Sequence, residues 1–138
     1  MSLQYLLDTN VVSEPLQLKP RAGVLRKLRL HNGEIAIASV TWHELQFGLR
    51  RLPPSRHRTE VQAYLEGVVS RSMAIFDYDA AAAEWHAAER ARLVRQGWTP
   101  PFQDGQIAAI AFVNELTLVT FNDVDFKRFD GLTVISWR

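Results

Sequence analysis

Cysteine is absent from the 138 residues, which excludes disulfides, thiolate nucleophiles and cysteine-ligated zinc or iron–sulfur sites. No apolar run approaches the roughly 20 residues that a bilayer-spanning helix needs. The chain does not open on a basic segment followed by an apolar core, as a secretion signal would. No membrane association is expected, and the composition fits a cytoplasmic protein. The four histidines, His31, His43, His57 and His86, are scattered without H-E-x-x-H spacing, so a histidine zinc site is not expected either. There is no G-x-S-x-G elbow and no P-loop. Repeats, low-complexity tracts and linkers are also missing, so residues 1–138 should form a single domain, long enough to bury a real core.

The net charge is only +1, but the charges are unevenly placed. Lys19, Arg21, Arg26, Lys27 and Arg29 follow one another with no acid among them, and Arg50, Arg51, Arg56 and Arg58 form a second acid-free run. Of the 16 basic residues 13 are arginine, the side chain whose forked donors best match phosphate. Either run alone reads as a solvated helix face. Two of them in a chain that also carries an acidic site favour a polyanionic partner.

Apolar stretches of two periods alternate. Residues 4–7, 35–38, 74–76, 117–120 and 132–135 read as short strands. Helices are expected over 20–30, 41–52, 55–72, from Asp79 to about Gln96, and over 105–114, with a helical turn at 123–129. Asn32-Gly33, Pro53-Pro54 and Gly97 are the stops. Short β-rich runs alternating with helices predict an α/β fold, a small parallel sheet between two helical layers.

Against that frame the polar residues at element ends stand out. Asp8 follows Leu6-Leu7, Glu44 follows the strand ending at Ala38, Asp104 heads an apolar helix, and Asn122 follows Leu118-Val119-Thr120. Each has an ordinary structural role. Asp8 suits an Asx turn, Thr41-x-x-Glu44 is a capping box, Asp104 suits a helix N-cap, and Asn122 suits a turn. For each taken singly, that role is the better reading. Together they fall on the edge of a parallel sheet where ligands bind. Carboxylates gathered there repel one another by about 4 kcal/mol per close pair at an effective dielectric of about 20, unless a hard cation sits among them. Joint placement therefore points to a magnesium or manganese site.

The segments Leu7-Asp8-Thr9-Asn10-Val11-Val12-Ser13-Glu14, Ser39-Val40-Thr41-x-x-Glu44-Leu45 with Gly48, Asp104-x-x-Ile107-Ala108-Ala109-x-Ala111, and Leu118-Val119-Thr120-x-Asn122-x-x-Asp125-Phe126 resemble the PIN domain. In particular they resemble the VapC toxins of type II toxin–antitoxin pairs, including the FitB-like branch. The motifs occur in order over nearly the whole chain. The resemblance implies a three-layer α/β/α fold and a Mg²⁺- or Mn²⁺-dependent endoribonuclease. It places Asp8, Glu44 and Asp104 at the family's three acidic positions and Asn122 at the fourth, which is Asp in some members. Asp8 and Asp104 are then the principal metal ligands, Glu44 aids the metal or the attacking water, and Asn122 holds a metal-bound water. Thr9, Asn10 and Asp125 would support them. Implied partners are RNA, a small antitoxin protein and a second copy in a homodimer. The helices over 20–72 are the expected antitoxin groove, with Trp42, Phe47 and Tyr64 as anchors, although Trp42 suits the core equally well. A catalytically silent PIN fold that only binds nucleic acid or protein is the rival from another class. An aspartate-based phosphotransfer domain fits less well, because the only late lysine, Lys127, lies past the last motif.

Overall fold

The structure, a computed structural model, describes residues 2–138. Five parallel strands, β1 (Tyr5–Leu7), β2 (Ile35–Ala38), β3 (Ala74–Phe76), β4 (Thr117–Val119) and β5 (Val134–Ile135), form one sheet in the order β3-β2-β1-β4-β5. The chain steps outward from β1 to β2 to β3, then returns to the other side of β1 with β4. The strand order thus reverses at β1, between β2 and β4. Such a reversal leaves a crevice at the carboxyl ends, because the crossover helices leave in opposite directions.

Strand side chains alternate between two cores, as a period of two requires. Leu6, Ala36, Ala38 and Leu118 enter one, with Ala82, Leu93, Ile107 to Ala111, Phe126 and Phe129. Leu7, Ile35, Ile37 and Val119 enter the other, with Val11, Val24, Leu45, Leu49, Val61, Leu65 and Val69. The first core is roofed by α6 (Ala80–Arg95), α7 (Phe102–Val113) and the short α8 (Asp123–Phe126). The second lies under α1 (Thr9–Val12), α2 (Ala22–Leu30), α3 (Ser39–Arg51) and α4 (Arg56–Tyr64). Helices on both faces of a parallel sheet make the expected three layers. They also explain why the strands are apolar throughout rather than alternating.

Local signals end the elements where expected. Asp79 caps α6 by accepting from the Ala82 amide, and Gly33 and Gly97 take positive φ values of 89° and 87° beyond helix ends. Two helix starts differ from expectation. Helix α3 begins at Ser39, directly off β2, so Ala38 is its N-cap and Thr41 lies buried inside the helix. Helix α7 begins at Phe102 with Pro101 at its N-cap, which puts Asp104 in the first turn rather than at the cap. The helix expected over 55–72 contains a π-helical stretch, Leu65–Val69, between α4 and α5 (Ser70–Ser72). The inserted residue rotates the later stripe by one position. The spacing of Val61, Tyr64, Leu65 and Val68 predicts one apolar stripe, but Val69 is buried in place of Val68, which is 44% exposed.

Candidate active site

Asp8 leaves the carboxyl end of β1, the central strand, and caps α1. Its Oδ1 accepts from the Thr9 amide at 2.8 Å and its Oδ2 from Thr120 Oγ1 at 2.9 Å. Thr120 is wholly buried at the end of β4, the next strand of the sheet. Two donors from adjacent strand ends therefore fix the orientation of this carboxylate. Burial raises its pKa, and the Thr120 and Thr9 bonds oppose that rise.

Glu44 reaches the same crevice from α3. With Thr41 inside the helix, the capping box does not form. Glu44 Oε1 instead accepts from Thr9 Oγ1 at 2.8 Å and from the Gln103 side-chain amide. Thr9 also reaches Thr41 Oγ1 at 3.3 Å, so one hydroxyl links β1's exit to α3. Thr9 is thus the hinge between Asp8, through its amide, and Glu44, through its hydroxyl.

Asp104 enters from the first turn of α7. Its pKa is raised to about 6, first by burial and then by the negative charges of Asp8, Asp125 and Glu44. A helix amino end favours a carboxylate by about 0.3–1 kcal/mol. Here burial and three neighbouring carboxylates outweigh that preference. The crevice thus collects like charges that oppose one another, an arrangement that stability alone disfavours.

Asn122 lies exposed at the head of α8. Its side chain makes no helix cap. Its Nδ2 donates to Asp125 Oδ2 at 3.1 Å, and its backbone amide donates to Thr120 Oγ1 at 3.0 Å. Asn122 therefore ties Asp125 in place, and Asp125 is one of the three carboxylates whose charge is felt at Asp104. Asn10 is exposed beyond the rim.

Sequence reasoning missed four supporting residues. Thr120 holds Asp8 and Gln103 holds Glu44. Behind Asp104, Gly105 meets the buried His86 ring of α6, and a Cβ there would fall on the imidazole. His86 Nδ1 is paired with the Tyr78 hydroxyl at 2.7 Å, while its Nε2 has no partner among the described residues. A glycine directly after a candidate acidic residue was the available signal: close approach of two helices needs a missing side chain. Of the expected docking residues, Phe47 is 55% exposed. Trp42 packs on the core, and the Tyr64 hydroxyl donates to the Val12 carbonyl at 2.5 Å.

All the charged donors are carboxylate oxygens, with threonine hydroxyls and side-chain amides around them. That is a set for a hard cation such as Mg²⁺ or Mn²⁺, not for zinc or copper. Among the described residues, no three His, Asp or Glu side chains enclose a position for direct ligation. Mg²⁺ ordinarily takes one or two carboxylates and keeps several waters, and so does not require three direct protein ligands.

The PIN domain family model matches residues 5–132. The chain belongs to the PIN-domain family, in its VapC branch. The tRNA(fMet)-specific endonuclease VapC of Shigella flexneri is 38% identical to it, over 98% of each chain. The DNA-bound VapBC structure from Salmonella typhimurium superposes with a TM-score of 0.85 at 31% identity, covering 99% of both chains. FitAcB from Neisseria gonorrhoeae superposes at 0.84 with 28% identity, over 97% of this PIN domain and 98% of the other chain.

Proposed function

We propose that this VapC-branch PIN domain is the toxin of a type II toxin–antitoxin pair, an endoribonuclease that hydrolyses phosphodiester bonds with Mg²⁺ or Mn²⁺. The observation that carries the reading is the crowded acidic crevice at Asp104, where burial first, and then the charges of Asp8, Asp125 and Glu44, hold a half-buried carboxyl up to a pKa of about 6. A fold keeps such a cluster when a cation relieves it. Similarity to VapC endonucleases over nearly the full length supports the reaction class.

Asp8 and Asp104 would hold the ion, in part through its waters, and bound there it would activate a water and offset charge on the phosphate and leaving oxygen. Thr120 and the Thr9 amide orient Asp8 so that its free lone pairs face the crevice. Glu44, held by Thr9 and Gln103, accepts a proton or hydrogen bond from the attacking water. Asn122 keeps Asp125 turned toward Asp104. Thr9 couples the two sides, so that Asp8 and Glu44 keep one relative position as substrate enters.

Similarity to solved VapBC and FitAB structures, one of them described as a member of the VapBC family of toxin-antitoxin systems, supports the further reading of a homodimeric cytoplasmic toxin restrained by a small antitoxin. An apolar groove of about 350 Å³ between α2 and α4, with Leu25, Leu28, Tyr64 and Val68 in its walls, lies within the segment assigned to that partner. Among the described residues no helix is long and apolar enough to cross a membrane.

The test is cleavage of RNA by the purified chain, together with growth of a bacterial host expressing it without antitoxin. Cleavage should need Mg²⁺ or Mn²⁺, stop with EDTA and vanish in Asp8→Asn, and only the wild type should slow growth. Equal growth at matched protein levels, with no metal-dependent cleavage, would leave the silent binding module as the better reading.

A further inference from the structure

The two arginine-rich runs have different fates in the fold. Each arginine of the second is engaged within the chain. Arg50 donates to Gln46, Arg51 lies over Phe47, Arg56 pairs with Glu60, and Arg58 donates to the Leu52 carbonyl. The start of the first run is arranged differently. Arg21 places its guanidinium 4.6 Å from the centroid of the Phe121 ring. Arg138, 117 positions later in the sequence, stands 5.5 Å from the same centroid and donates to the Phe121 carbonyl at 2.6 Å. With Lys19 they line an open cleft of about 670 Å³. The only carboxylate side chain in its wall is Glu14, which is buried and turned to the Arg21 amide at 3.2 Å and to Arg21 Nε at 3.8 Å. Three cationic side chains face one carboxylate side chain, an excess of positive charge among the side chains of the cleft.

Its position matters as much as its sign. Phe121 directly follows Thr120, which holds Asp8, and Asn10 in the cleft wall lies two residues after Asp8. The cleft therefore adjoins the acidic crevice along two separate chain segments. A polyanion whose phosphodiester lies at the carboxylates can extend its backbone toward the arginines. Stacking on one ring restricts both guanidinium planes and leaves N–H edges free to form forked bonds to a phosphate.

We propose that Arg21 and Arg138, arranged around Phe121, form a phosphate subsite that holds the RNA backbone beside the phosphodiester at Asp8 and Asp104. This rests on the ribonuclease reading and names how that site grips its substrate. Arg21 and Arg138 act as binding and positioning residues and take no part in proton transfer.

The experiment titrates a labelled single-stranded RNA against the full chain carrying Asp8→Asn, which binds without cleaving, at a series of salt concentrations. Adding Arg21→Gln or Arg138→Gln should weaken binding several-fold and reduce the slope of log K against log salt by roughly 0.7, the value for one single-strand phosphate contact. Arg21→Lys should keep the slope while losing part of the affinity. In the active chain the same changes should raise KM and leave kcat nearly unchanged. An unchanged salt slope and KM would overturn the proposal. So would a lowered thermal midpoint with an unchanged slope, which would make the arginines a clamp on Phe121 only. Failure of the ribonuclease reading is a separate result, the absence of metal-dependent cleavage by the wild-type chain.

Discussion

Replacing Asp104 by Asn preserves side-chain shape and removes the charge that the crevice opposes. In the fold the carboxyl titrates near 6 rather than 3.8, and each pKa unit corresponds to about 1.4 kcal/mol. The full shift would amount to about 3 kcal/mol. Water still reaches this half-buried group and screens its neighbours, which leaves about 1 kcal/mol. Since the folded pKa lies above the unfolded one, the native state holds more protons between pH 4 and 6, so wild-type stability falls as pH rises through that window. In EDTA at pH 7.5 the Asn variant should therefore melt about 3–5 °C above the wild type, and the gap should close near pH 4, where Asp104 is neutral. Added Mg²⁺ should raise the wild-type midpoint by mass action and the variant's much less. Cleavage should be lost throughout. A variant less stable than wild type at pH 7.5, or a gap independent of pH, would refute the argument and make Asp104 a structural residue of the first turn.

Two further substitutions probe the supports. Thr120→Val keeps the β-branched shape but deletes the donor to Asp8 Oδ2. It should lower kcat about tenfold or more and move the acidic limb of the pH–rate profile upward, because the carboxylate loses a bond that favours its charged form; Thr120→Ser should restore both. Gly105→Ala drives a methyl into His86 and should cost about 1–3 kcal/mol. His86→Ala in the same chain should recover part of the loss, and a neutral Gly105→Ala would show that α6 and α7 do not meet as closely as described.

What was legible in the sequence was whatever neighbouring residues settle among themselves. Apolar four-residue runs such as Ile35-Ala36-Ile37-Ala38 predict strands covered on both faces, and β2 has these bounds. Asp79 caps its helix through a bond to an amide three residues on, and Gly33 and Gly97 stop helices because their backbones turn to positive φ. The motif order sufficed to identify the family, since four polar positions at element ends survive any detail of packing. Burial of Val69 instead of Val68 was not legible, because one inserted residue in a helix shifts the stripe without leaving a pattern in the sequence.

The site itself belongs to the tertiary structure. Thr41 and Glu44 satisfy the capping-box pattern, yet the helix starts two residues earlier, directly off β2, and frees Glu44 for Thr9, 35 positions away. Thr120 meets Asp8 across 112 positions only because β4 adds beside β1 rather than beyond β3. The pKa of Asp104 is likewise a property of burial and of three carboxylates carried by other elements. Composition and spacing put acids at the ends of elements. The reversal of strand order at β1 decides which ends meet, and Coulomb energy falls off with a distance that only the fold sets.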